Sequence, residues 1–218
     1  MNNIIAKYFD LREISDEVLD NHLDILKTNN NIDKNRINKS LSFIPDKSKK
    51  QSILANVLID NELKEKARNI YYNSKNKPII NDNLYFNISH SEDYVVFVKD
   101  NNKIGIDIEY IDLKNEDVLD YAFTNEEIDY IKKNYKDNLK EGIIKLWTIK
   151  EAVYKASGET SDIEPKDIKI NINDFSKVSF FNNQYNIISL KIDNYYMTIA
   201  SINEYDDIVF INELSKEV

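Results

Sequence analysis

In the segment Ile104-Gly105-Ile106-Asp107-Ile108-Glu109-Tyr110, alternation across a strand puts the three isoleucines on one face and Gly105, Asp107 and Glu109 on the other. Two carboxylates about 7 Å apart repel by about 2 kcal/mol at an effective dielectric near 20, unless a cation or solvent intervenes. The pair is therefore either part of a metal site or a solvated sheet face. A third oxygen ligand for the first alternative comes from residues 141–157. There Ile143, Ile144, Leu146, Trp147, Ile149, Ala152, Val153 and Ala156 leave almost no polar side at 100° per residue, which predicts a largely buried helix. Lys150 and Glu151 interrupt its apolar arcs, where an unpaired charge is costly. The plain alternative is an exposed Glu151 to Lys155 pair one turn apart, contributing about a few tenths of a kcal/mol. A third group, Phe86-Asn87-Ile88-Ser89-His90-Ser91, ends a strand at a tight turn, and its serines and histidine make a compact set of donors suited to phosphate. His22, the other histidine, has polar neighbours in a helical segment and reads as a surface residue.

The elements that must position these groups follow from apolar spacing and punctuation. A strand is expected over 4–9, then a helix over 15–27 with Val18, Leu19, Leu23 and Leu26 inward and Ser15 or Asp16 as cap. A short helix over 33–43 and a longer one over 46–68 follow, the latter with Ile53, Leu54, Val57, Leu58 and Leu63 as its stripe. Lys77-Pro78 breaks the pattern before a hairpin of strands 84–89 and 94–99 joined by 90–93. A second series has a strand over 103–110, helices over 115–121, 125–136 and 141–157, and strands near Ile168, Val178, Ile187 and 196–201. The order strand, helices, strands thus occurs twice, so an α+β chain of two similar halves, 1–103 and 104–218, with a ligand cleft between them, is expected.

Composition narrows the function classes. The 218 residues include 29 basic and 38 acidic side chains, a net charge of −9, which argues against a nucleic-acid partner. The absence of cysteine excludes thiolate catalysis, disulfide frameworks and Cys-based zinc sites. No basic segment followed by an apolar one opens the chain, and no apolar run approaches 18 residues, so a soluble cytoplasmic protein with no membrane partner is expected.

The order and spacing of these groups resemble the Sfp-type 4′-phosphopantetheinyl transferase family. FNISHS at 86–91, IGIDIE at 104–109, FTNEE at 123–127 and LWTIKEAVYKASG at 146–158 are similar to that family's successive signatures, with W-x-x-K-E-x-x-x-K intact as Trp147, Lys150, Glu151 and Lys155. The resemblance implies two α+β halves in a pseudo-twofold arrangement, coenzyme A as substrate bound between them, and Mg²⁺ held by Asp107, Glu109 and Glu151. It further implies transfer of phosphopantetheine to a serine of an apo acyl or peptidyl carrier protein. The carrier would serve fatty-acid, polyketide or nonribosomal-peptide biosynthesis, and adenosine 3′,5′-bisphosphate would leave. Glu151 would be the base, directly or through a metal-bound water. Lys155 would balance charge on the pyrophosphate, and Lys150 would orient the nucleophile or pair with a carboxylate.

The similarity extends upstream. Arg36 and Lys39 occupy the family's basic pair, Ser52 a hydroxyl position on the next helix, and Lys77 precedes its proline; with Ser89 and His90 they would bind the nucleotide end, chiefly the 3′-phosphate. Gln51 stands where many relatives carry a basic residue, and Asn76 replaces the glycine usual before Lys-Pro. At this length, about twice that of the superfamily's short trimeric members, the resemblance implies one composite site in a monomer. The rivals are another Mg²⁺-dependent phosphoryl-transfer enzyme and a non-catalytic relative that binds coenzyme A or the carrier.

Overall fold

A computed structural model describes residues 1–74, 77–80, 83–112 and 118–214. Strand β1 (Asn3–Asp10) leads into helices α1 (Asp16–Thr28), α2 (Lys34–Leu41) and α3 (Asp46–Leu63). The short antiparallel pair β2 (Ile70–Tyr72) and β3 (Pro78–Ile80) follows, then the hairpin β4 (Tyr85–Ser91) and β5 (Tyr94–Asp100). The chain continues through β6 (Ile104–Tyr110), α4 (Val118–Ala122), α5 (Asn125–Asn134) and α6 (Leu139–Ser157). It ends with β7 (Lys177–Phe180), β8 (Asn183–Ile192), β9 (Tyr195–Ser201) and β10 (Asp207–Asn212). Local signals set the helix ends: Ser15 Oγ accepts from Val18 N, Thr124 and Glu127 form a reciprocal capping box, and Gly158 at φ +70° terminates α6.

The protein is α+β, with two four-stranded sheets in the orders β10-β1-β5-β4 and β6-β9-β8-β7. Their inner faces meet, with Ala6, Val96 and Val98 packed with Ile106, Ile108, Met197 and Ile199. Leu23 and Leu26 of α1 and Leu54 and Leu58 of α3 cover the outside of the first sheet against Phe9 and Phe97. Ile143, Leu146, Ile149 and Val153 of α6 cover the second against Val178, Tyr185 and Ala200. Amphipathic helices outside and apolar strand faces inside satisfy each element's need to bury one side.

Two contacts decide where the polar groups of β6 go. Its edge faces β4, the edge of the other sheet. Asn87 Oδ1, Ser89 Oγ and Ser91 Oγ accept from the amides of Ile106, Ile108 and Tyr110 at 3.2, 3.4 and 3.1 Å. Period-2 polar residues on one strand thus satisfy the backbone of the next. On its outer face, a Cβ at position 105 would collide with Ala152 O and Ala156 N, so only glycine lets α6 lie this close.

Several expectations need correction. Ile168 is not in a strand; it follows a 3-10 turn, Pro165–Asp167. His22 is buried rather than on the surface, its ring edge-on to Phe9 at 5.7 Å. The third helix stops at Leu63, because Lys64 takes φ 50° and a 3-10 segment replaces the last turn. β4 runs through His90 to Ser91, so His90 is a strand residue. Of the helix expected over 115–121, residues 115–117 lie outside the described residues, as does Asn76. Three further strands lie beyond those expected: β2 and β3, which pair with each other, and β10, which returns to pair in parallel with β1, Ile4 opposite Ile208, and so joins the first sheet. No helix of the described residues is long and apolar enough to cross a membrane.

Gly105→Ala is expected to lower the unfolding free energy by about 1–3 kcal/mol, the usual cost of overpacking. A shift in urea midpoint at constant slope checks it.

Candidate functional site

Asp107 sits between β4 and α6 and is only 2% exposed, which rules out the solvated-face alternative. Lys155 Nζ lies 2.6 Å from its Oδ1 and 3.0 Å from Ser89 Oγ, and Ser89 Oγ donates to the same carboxylate oxygen at 2.9 Å. Burial nevertheless raises the Asp107 pKa above the ordinary carboxylate range, against the opposing pull of Lys155 and Ser89. Its other oxygen, Oδ2, is buried with no hydrogen-bond partner. Two residues on, Glu109 accepts from Ser91 Oγ at 2.8 Å; burial and the charge of Asp107 push its pKa up to about 7. Glu151, one turn before Lys155 on α6, is raised by burial and by Asp107. Lys155 pairs with Asp107 rather than with Glu151, so the simple i,i+4 pair does not form.

The three carboxylates feel one another's charge, yet among the described residues no three His, Asp or Glu side chains are gathered closely enough to ligate one ion. Glu109 lines a cavity of about 500 Å³ with Ser91, Tyr110 and Trp147, and Glu151 one of about 520 Å³ on the other side of Trp147. The residues do fit a hard divalent cation in chemistry: the donors are all oxygen, one buried carboxylate oxygen is orphaned, and two further acids are held back from ionising by burial and by the charge of Asp107.

Beyond this cluster lies a basic region. Glu151, Tyr154 and Lys155 share a cavity with Asn73, Lys77 and Ile88. It adjoins another of about 400 Å³ lined by Arg36, Lys39, Ser52, Tyr72 and His90, with Pro78 and Ile88 bordering both. Lys77 Nζ donates to the Lys155 carbonyl at the end of α6. Burial, Lys155 and Lys103 lower its pKa to about 8. Arg36 stacks over Tyr72 at 5.7 Å, and burial lowers its pKa. His90 reaches solvent on one side; the protein packed on its other side and the charge of Lys155 hold its pKa below the ordinary value. Gln51 has a structural task of its own, its Nε2 donating to the Glu92 carbonyl at 2.9 Å in the β4–β5 turn.

Lys150 is the residue the structure separates from the carboxylates. It is fully buried, its Nζ 2.9 Å from Glu127 Oε2 and hydrogen-bonded to the carbonyls of Pro165 and Ile168. Of its two expected roles, pairing with a carboxylate is the one its surroundings match. Glu127, which also caps α5 and accepts from Ile170 N at 2.9 Å, closes the FTNEE motif but is given no role of its own by sequence reasoning; the Thr124-x-x-Glu127 capping pattern could have supplied the cap, but not the buried partner.

Residues 103–200 match the family model of the 4′-phosphopantetheinyl transferase superfamily. The chain is 29% identical to the 4′-phosphopantetheinyl transferase gsp of Aneurinibacillus migulanus over 59% of its own length and 57% of the relative's. It is 29% identical to the ffp transferase of Bacillus subtilis over 47% of each. With psf-1 of Bacillus pumilus it shares 31% over 38% of this chain and 36% of that one. The chain spans about half the length of the curated relatives it matches. The matched segment, which holds β6, α6 and their acidic cluster, is thus similar to the 4′-phosphopantetheinyl transferase superfamily.

Glu127→Ala is expected to cost about 3–5 kcal/mol of stability by leaving the Lys150 ammonium buried and unpaired, measurable by chemical denaturation. For Glu109, a folded pKa near 7 against an ordinary 4.5 means that the native state holds the proton more tightly. Its contribution to stability is thus full below the ordinary value and lost as pH rises toward 7. Denaturation profiles across that window should fall less steeply for Glu109→Gln than for the parent chain.

Proposed function

We propose that this chain transfers the 4′-phosphopantetheine group of coenzyme A to a serine hydroxyl of an apo acyl or peptidyl carrier protein, releasing adenosine 3′,5′-bisphosphate. The observation that carries the reading is the Lys155–Asp107 pair beside Glu151, at one end of adjoining cavities whose far end holds Arg36, Lys39, Ser52 and His90. A diphosphate placed along these cavities meets cationic donors over its length, with the acidic cluster at the reacting phosphorus.

In the reaction the serine oxygen forms a bond to the β-phosphorus as the bridging P–O bond breaks, and the 5′-phosphate of the nucleotide departs. The serine proton goes to Glu151, whose raised pKa makes it a better acceptor near neutral pH than an ordinary carboxylate. Lys155 faces the negative charge that builds on the departing 5′-phosphate. Lys77, with a pKa near 8, is held at the α6 end in the cavity it shares with Glu151 and Lys155 and would contribute further positive charge. Asp107, Glu109 and Glu151 would hold Mg²⁺, which when bound supplies charge neutralisation on the diphosphate oxygens. Ser89 and Ser91 hold the two β6 carboxylates in place for it.

The proposal extends to a pseudo-twofold pairing of the halves 1–103 and 104–218, with coenzyme A in the cleft between them. It also covers action as a cytoplasmic monomer with neither nucleic acid nor membrane as partner.

Incubating an apo carrier protein with the chain, coenzyme A and Mg²⁺ should add about 340 Da to one serine by mass spectrometry, the mass of the transferred group. Asp107→Ala and Glu151→Gln should nearly abolish the gain while circular dichroism stays unchanged, and Lys77→Ala should chiefly raise KM for coenzyme A. Coenzyme A that binds without any mass gain on the carrier would make the chain a binding relative instead.

A further inference from the structure

Asn56 is buried on α3, one turn after Ser52, and lines the cavity that holds Arg36, Lys39 and His90. Its Nδ2 donates to the Ser52 carbonyl and to Ser40 Oγ, each at 3.0 Å. Because a carbonyl can only accept, this contact fixes which end of the amide faces the serines. Ser40 Oγ and Ser52 Oγ lie 2.8 Å apart. Ser40 is itself only 1% exposed, so it meets the cavity's contents through Ser52 rather than presenting an open hydroxyl of its own.

The count of protons decides what this trio does. Ser40 has one hydroxyl proton and two acceptors within reach, the Arg36 carbonyl at 3.1 Å and Ser52 Oγ. Its oxygen already accepts from Asn56. When the Ser40 proton goes to Ser52, the Ser52 oxygen is satisfied from behind and its own proton is free to point into the cavity. The sequence Asn56 N–H, Ser40 O–H, Ser52 O–H then runs in one direction, each donor strengthened by the one behind it. A chain that ends in a donor favours an anion over a neutral group. Arg36 Nη1, buried with no hydrogen-bond partner, offers a second donor in the same cavity.

Resting on the reading of this cavity as the nucleotide end of coenzyme A, we propose that Asn56 and Ser40 are positioning residues that aim the Ser52 hydroxyl at a phosphate monoester. They thereby set a preference for a 3′-phosphorylated nucleotide. Neither side chain donates to the ligand itself; their effect passes through Ser52.

Calorimetric titration of the full chain with adenosine 3′,5′-bisphosphate and with adenosine 5′-monophosphate tests this without carrier or turnover. The parent chain should bind the bisphosphate more tightly. Ser52→Ala, Ser40→Ala and Asn56→Ala should each weaken bisphosphate binding about tenfold, the loss expected for one hydrogen bond to a charged group, and leave the monophosphate unchanged. The double variant of Asn56 and Ser52 should be no weaker than Ser52→Ala alone, since the residues act as one chain. A general loosening of the fold would weaken both nucleotides together, against the proposal. Should Asn56→Ala misfold by circular dichroism, Ser40→Ala breaks the same chain at its middle and decides between the outcomes. Full discrimination retained in the folded Asn56 and Ser40 variants, or losses that add in the double variant, would overturn the proposal. A parent chain that binds the two nucleotides equally would instead overturn the reading of the cavity, and the proposal with it.

Discussion

The close approach of α6 to β6 at Gly105 is the constraint on which the polar cluster depends. With no side chain at that position, the helix backbone at Ala152 and Ala156 rests on the strand. Lys155, between these two residues' turns, then reaches Asp107 at 2.6 Å, and Glu151 falls within the field of the same carboxylate. A helix even one methyl group farther out would lengthen these contacts and admit water, which weakens every charge interaction in the cluster. The other edge of β6 is closed by Asn87, Ser89 and Ser91 of β4. The same serines that satisfy its amides also hold Asp107 and Glu109, so one short polar strand both joins the two sheets and orients the acids.

Two buried ionic arrangements on α6 show opposite logic. Lys150 and Glu127 are balanced, one ammonium against one carboxylate, with backbone groups taking up the remaining donors and acceptors. That is a structural solution, in which each charge is compensated on folding. Around Asp107 a single ammonium faces three acids, one of which keeps a buried oxygen without a partner. Such an imbalance costs stability unless a ligand relieves it, and groups left in that condition are where function concentrates. The contrast separates two lysines that the sequence places only five residues apart.

Much of this was legible from the residues. Period-2 alternation in IGIDIE put Asp107 opposite the isoleucines that now fill the space between the sheets, and the near-continuous apolar surface of α6 foretold its burial. The stripe on α3, the Ser15 cap and the β4–β5 hairpin were readable for the same reason: each is a local pattern whose cause lies within a few residues. What escaped were the features settled by contacts distant in sequence. β10 is a six-residue strand whose partner lies about two hundred residues earlier, His22 is buried with its ring against Phe9 of the first strand, and Ile168 serves Lys150 through its carbonyl, which no side-chain pattern records.

By itself the sequence determined the chemistry on offer: which carboxylates share a strand face, which lysines ride on the buried helix, and which serines alternate along β4, because side-chain direction follows from helix and strand periodicity alone. Only the tertiary structure decided how those charges are divided. It gave Lys155 to Asp107 and Lys150 to Glu127, and it joined Asn56, Ser40 and Ser52 into one chain of donors. Such partnerships depend on distances between elements, and these are fixed by packing, down to a missing Cβ at position 105.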